Sequence, residues 1–196
     1  MMRSGKAWII VVAILLGVML LGGLFFLTWY IPNYNKAVRM DEGVQEAWAN
    51  VDAQLQRRLD LVPNLVNTVK GYATHEKELF ENIAKSRERY FQGGTRTEKM
   101  EASNQLGGFL SRLLVLQERY PDLKANQQFK DLMVQLEGTE NRISVARTRY
   151  NEAVKMMNTY ARSYFGRYFC GKADIEPAKA FEATEQAKTE VPEVNF

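Results

Sequence analysis

Cysteine occurs once in this chain, and so does histidine. The lone Cys170 has no partner for an internal disulfide. A dimer through Cys170 is one use for it; simply being a small residue is the commoner one. The lone His75 excludes the di-iron bundles, which take a Glu-x-x-His from each of two helices. It also disqualifies "HEKEL" (75–79) as a zinc-protease helix, because the second histidine four residues on is missing. The glycine pairs beginning at Gly93 and Gly107 have no Gly-Lys-Ser/Thr context, so no phosphate loop is indicated. The 26 Lys and Arg are intermixed with 23 Asp and Glu. That gives no clustered basic footprint for nucleic acid. Proline is sparse: only Pro63, Pro121 and Pro177 lie between Lys36 and Glu190. No strand-like alternation bounded by turn dipeptides appears. The chain reads as all-α, with no cofactor and no metal set.

Charge is missing altogether from one stretch. Residues 7–31 read "AWIIVVAILLGVMLLGGLFFLTWYI". As a helix this run is about 37 Å long, enough to cross ~30 Å of hydrocarbon with some tilt. Trp8 lies at one end and Trp29 and Tyr30 at the other, where aromatic belts sit. Pro32 follows as a stop or kink. A cleaved signal peptide has a shorter apolar region and a small-residue cleavage site. "LTWYIPNYN" offers no such site, and no cysteine follows to carry a lipid. The expectation is a retained single span preceded by a short basic tail, residues 1–6. Arg3 and Lys6 before the span favour a cytoplasmic N-terminus, with the bulk of the protein outside. Lys36 and Arg39, beyond it, pull the other way.

Beyond the span the apolar residues recur at helical spacing. Four segments emerge, at about 33–59, 63–91, 98–119 and 127–168. In the first, Tyr34, Asp41, Trp48 and Leu55 are seven apart, with Val38, Val44 and Val51 beside them. In the second, Val69, Glu76, Ile83 and Tyr90 form one column. "QGGTRT" (92–97) and "YPDLKAN" (120–126) break the pattern, and Asn126 suits an N-cap. In the fourth, Phe129, Leu136, Ile143, Tyr150, Met157 and Tyr164 keep a strict seven-residue interval, the seam of a helix packed along its length. The stretch from Gly171 is acidic, has few apolar residues and lacks a period. It is expected to be weakly ordered, with Val191, Val194 and Phe196 able to dock.

Some charges fall in apolar columns. Glu140 and Arg147 share a stripe with Met133 and Val154, two turns apart, too far to bond each other. Buried, each needs a partner on another helix. Glu76 and Arg87 on the second segment and Arg58 on the first are available. These five residues form an expected polar layer with at least two cross-helix ion pairs, a device that can fix helix register. Solvation of the charges on an imperfect bundle is the alternative.

Three long stretches carry a resemblance. "YNKAVRMDEGVQEAWANVDAQLQRRLDLVPNLVNTVKGYATHE", "ERYPDLKAN" and "ENRISVARTRYNEAV" resemble, in this order, signatures of the LemA family. The preceding apolar run and the "P-x-V-x-F" ending are also similar to that family. The resemblance implies a single-pass protein of a bacterial cell membrane. It implies an up-and-down four-helix bundle over residues 33–168, with the bundle expected on the periplasmic side. It implies no reaction. It places the junction of the first two helices at the RR-x-DL-x-PNLV motif, where Asp60 caps the next helix and Pro63 and Asn64 lie in its first turn. Pro121, Asp122 and Asn126 mark the junction of the third and fourth helices.

No catalytic constellation accompanies these features. The expected role is a scaffold or interaction protein at a membrane, with homo-oligomers or other membrane-associated proteins as partners. Self-association is expected near the end of the fourth helix, through Met157, Tyr164 and Phe165. The alternative is a metal-binding or hydrolytic bundle using Glu76, Glu140 and nearby arginines.

Overall fold

A computed structural model describes residues 4–182. Six helices follow one another: α1 Ser4–Lys70, α2 Lys77–Gln92, α3 Arg96–Arg119, α4 Pro121–Ala125, α5 Gln127–Arg162 and α6 Tyr164–Lys172. The described residues contain no strand, so the all-α expectation holds. The described residues fall into two compact units. One holds 4–44 and 155–178; the other holds 45–154 and 179–182.

The expected first junction is wrong. Helix α1 passes through Pro32 and through Pro63 without a break. Asp60, Pro63 and Asn64 are therefore helix-interior residues and not a junction. The chain turns ten residues later, where Tyr72 and Ala73 both donate from their backbone N–H to the Val69 carbonyl at 2.9 Å. A proline in a helix interior costs about 3 kcal/mol through one lost hydrogen bond and a steric push. Around Pro63 that cost is offset by burial on the same face: Leu59, Val62, Leu65, Val66 and Val69 are all at most 9% exposed. The column drawn from Val69 to Tyr90 accordingly belongs to three elements, with Val69 in α1, Glu76 in the turn, and Ile83 and Tyr90 in α2.

The later boundaries follow local chemistry. Thr95 and Glu98 form a capping box at the start of α3, each side chain serving the other's backbone N–H. Pro121 opens the one-turn α4. The Asn126 side-chain oxygen accepts from the Phe129 N–H at 2.9 Å and so caps α5. The expected helix over 127–168 divides at Ser163. That residue leaves the helical conformation, and its hydroxyl accepts from the Gly166 N–H. A Cβ at Gly166 would run into the Tyr160 carbonyl, so glycine is what lets α6 close onto the end of α5. The seam of α5 reflects the division: Phe129, Leu136, Ile143, Tyr150 and Met157 are buried, whereas Tyr164 is 89% exposed.

In the first unit Ala37, Phe169 and Cys170 are buried, with Trp29, Tyr30, Tyr34, Tyr160, Ala161 and Ile175 packed around them. Cys170 is a free, buried thiol; burial, then the nearby Asp41, pushes its pKa up. The Asn158 amide pairs with both backbone groups of Ala178. In the second unit the buried residues come from α1, α2, α3 and α5, with Ala73 of the first turn and Leu123 of α4, and α2 packs along α3.

The segment from Gly171 onward, expected to be weakly ordered, is described as far as residue 182, with no helix or strand beyond α6. Helix α6 continues to Lys172, and residues 178–181 are held by side-chain amides and by a ring contact. The expected docking of Val191, Val194 and Phe196, and the placement of Arg3, lie outside the described residues.

Candidate functional site

The apolar column of α1 in the second unit contains one charge. Val51, Arg58 and Leu65 are seven residues apart, and all three are buried. Arg58 is 2% exposed. Its Nη1 donates to Glu140 Oε1 at 2.9 Å. Its Nη2 donates to the Ser103 carbonyl at 2.9 Å and the Ser103 hydroxyl at 2.6 Å. From α5, Arg147 Nη2 donates to Ser103 Oγ at 3.1 Å and Asn104 Oδ1 at 3.2 Å. Ser103 thus ties guanidiniums from α1 and α5 to α3. The cluster borders a cleft of about 350 Å³ that Gly107, Ser111 and Leu114 help to line.

The electrostatics are uneven. Two guanidiniums face one carboxylate, and the Glu140 side chain is 46% exposed while that of Arg58 is 3%. Burial, and next the Arg58 charge, pull Arg147 below the usual arginine range; Glu140 acts in the opposite direction. Arginine does not release its proton in proteins. The chemistry available here is donation to fixed acceptors that link α1, α3 and α5.

Arg87 and Glu76 do not join this cluster. Arg87 Nε instead donates to the Leu59 carbonyl at 3.3 Å, and its guanidinium lies over the Phe91 ring. Leu59 is four residues before Pro63, so its carbonyl is the one left without a helical donor. Arg87 supplies the donor that Pro63 lacks. Glu76 pairs with Arg119 at 3.7 Å, and the Arg119 side chain is 65% exposed. Among the five residues of the expected layer there is therefore one ion pair, Arg58–Glu140, where at least two were expected. The two carboxylates of the alternative reading, Glu76 and Glu140, are held by different arginines. No group of three or more His, Cys, Asp and Glu side chains gathers among the described residues.

Two further constellations escaped sequence reasoning. Tyr90 donates to Asp52 Oδ1 at 2.5 Å, and Lys99 reaches the same oxygen at 3.0 Å. Burial, then the Asp52 hydrogen bond and charge, push the Tyr90 hydroxyl far above the usual tyrosine range. Phe181 stacks on Trp48, meets Tyr150 edge-on and lies under the Arg147 guanidinium, 4.7 Å from it. The Asn151 amide pairs with both backbone groups of Phe181. Ser103 had a visible signal, since it stands three residues before Leu106 in the apolar stripe of α3. Phe181 had none, because an isolated aromatic in an acidic tail has no period.

The LemA family model matches residues 47–196, which include Arg58, Ser103, Glu140 and Arg147. The chain belongs to the LemA family. Three relatives are similar over most of it. The magnetosome protein MamQ 2 of Paramagnetospirillum magneticum is 24% identical over 85% of this chain and 71% of its own length. The magnetosome protein MamQ of Magnetospirillum gryphiswaldense is 26% identical over 75% of this chain and 64% of its own length. Protein LemA of Metamycoplasma hominis is 22% identical over 86% of this chain and 77% of its own length.

Proposed function

We propose that this LemA-family chain is a non-enzymatic interaction protein anchored in a membrane by residues 7–31 of α1. The observation that carries the reading is the environment of that run. Between Trp8 and Leu27 the large apolar side chains stand 36–76% exposed, and the most apolar window is 0% buried. A helix that is apolar all round and leaves these side chains exposed matches a lipid surround. Retention is supported by the far end of the run, where Trp29 and Tyr30 pack into the first unit's core. Cleavage after residue 31 would strip that core of two of its rings.

The arginine cluster then acts by holding register in an up-and-down four-helix bundle that presents surfaces to other copies or to other membrane-associated proteins. The N-terminus lies in the cytoplasm and the bundle outside. Only Lys36 and Arg39 oppose that orientation locally, because distant charges count little toward it. Met157 is withdrawn from the expected self-association surface, being 1% exposed.

Membranes from producing cells test the anchor. The full chain should stay in the pellet after carbonate washing, with a mature N-terminus before Trp8. Release by carbonate, or a mature N-terminus beyond Tyr30, would overturn it. Crosslinking in intact membranes tests the role: trapped copies or partner proteins are expected, and a chain trapped with nothing would refute it.

A further inference from the structure

Helix α6 has two faces. Gly166, Phe169 and Cys170 are buried. Tyr164, Phe165 and Tyr168 are 89%, 52% and 51% exposed, an aromatic arc spaced i, i+1, i+4. Three bulky rings left in water on a nine-residue helix need cover from something.

The location of the helix says what. The Phe165 ring lies 5.3 Å from Trp29, and the Phe169 ring lies 5.5 Å from Trp29 and 5.2 Å from Tyr30. Trp29 and Tyr30 are the last aromatics of the uncharged run, and both also meet the Phe26 ring. The exposed rings continue the same cluster outward, Tyr164 against Phe165 and Tyr168 against Phe169. Helix α6 is therefore docked beside the end of the run proposed as the membrane span. Tryptophan and tyrosine favour that level, because their rings are apolar and their tips polar.

The charge pattern fits the same surface. Residues 153–173 carry Lys155, Arg162, Arg167 and Lys172 and no acid. Arg162, Arg167 and Lys172 are exposed, and Lys172 lies over the Tyr168 ring. On α1, Lys36 sits over Tyr160 within the same unit. Acids return only at Asp174 and Glu176, past the end of α6.

We infer that α6 is a second membrane-contacting element, an interfacial helix whose Tyr164, Phe165 and Tyr168 enter the headgroup region of the bilayer crossed by α1 while Arg162, Arg167 and Lys172 meet anionic lipid phosphates. The inference rests on the reading of residues 7–31 as a span. It gives Tyr164 and Phe165 a lipid surround in place of a second copy. Gly166 is what makes the placement possible, since any side chain there would push α6 off the end of α5.

The test uses the full-length chain with Cys170→Ala, so that one introduced cysteine carries a nitroxide. The label is placed in turn at Leu16→Cys, Tyr164→Cys, Tyr168→Cys and Val134→Cys, the last an exposed site on α5. Each protein is put into nanodiscs containing phosphatidylglycerol, with circular dichroism confirming unchanged helix content. The expected result is that Leu16, Tyr164 and Tyr168 lose collisions with a water-soluble nickel chelate and gain them with oxygen, while Val134 does the reverse. Replacing phosphatidylglycerol by phosphatidylcholine should restore part of the nickel collisions at Tyr168 and none at Leu16. If Leu16 is lipid-exposed but Tyr164 and Tyr168 collide freely with nickel, the interfacial helix is refuted and the span stands. If Leu16 collides freely too, the span reading itself has failed. Labels at Tyr164 shielded from both reagents and spin-coupled between copies would overturn the inference in favour of a protein contact.

Discussion

The two halves of α1 lie on one continuous helix and follow different rules. Between Trp8 and Leu27 the helix is apolar on every side, and its large residues stand exposed. Between Val51 and Val69 only one stripe is buried, and that stripe includes a charge and flanks a proline. In the first half, apolarity alone is required, so one aliphatic residue can replace another. In the second half each buried position answers to a named neighbour. Polar residues are costly in both settings, but in the second Arg58 has its partners on two other helices.

That contrast predicts the largest loss at Arg58. Arg58→Ala removes a buried donor from Ser103 and Glu140 together, and breaking a buried pair costs about 3–5 kcal/mol. Glu140→Ala should cost less, about 1–3 kcal/mol, because its carboxylate is half in water and Arg58 keeps both Ser103 acceptors. Thermal unfolding of both variants checks the order. Equal losses would mean that the ion pair, and not the serine, organises the cluster. Next comes Arg87→Ala, which strips the Leu59 carbonyl of its donor for about 1 kcal/mol. The same change in a Pro63→Ala background should cost clearly less, because residue 63 then supplies a backbone N–H. A double-mutant cycle in denaturant reads the coupling, and strict additivity would break the proposed link. Glu76→Ala, whose partner Arg119 is 65% exposed and 3.7 Å away, should change stability by less than about 1 kcal/mol, a useful contrast with Glu140.

The last effect is read only at alkaline pH. The Tyr90 hydroxyl is pushed above its unfolded value by burial and Asp52. Its contribution is thus complete below the unfolded pKa of about 10 and is lost as pH rises toward the folded one. Tyr90→Phe should flatten the decline of the melting temperature above about pH 10. An unchanged alkaline slope would show that other groups set it.

Much of this is legible in the sequence. The uncharged run, the all-helical pattern, the breaks at Gly93 and Tyr120, and the Asn126 position all rest on local chemistry. Hydrophobic period, glycine pairs, proline and capping side chains act over a few residues, so a linear reading finds them. The first turn was misplaced because Pro63 is a strong local stop signal. Its cost was cancelled by burial over Leu59–Val69 and by a donor 24 residues further on, neither of which is local. The division of α5 from α6 was missed for the opposite reason. The seven-residue column ran on to Tyr164, while Ser163 and Gly166 could end the helix with only three residues of chain.

The sequence by itself determined the helical class, the apolar run and its length, and the presence of charges inside apolar stripes, because each depends on residue type and spacing along one helix. Only the tertiary structure decided which charges meet. Arg58 took Glu140 and Ser103, Arg147 took Ser103, Asn104 and the Phe181 ring, Arg87 took a backbone carbonyl, and Glu76 went to Arg119. The five charges are spread over 90 residues of chain, and periodicity fixes which face a side chain occupies, not which facing helix brings a partner to the same height. That choice belongs to helix register, which is set when the whole core packs at once.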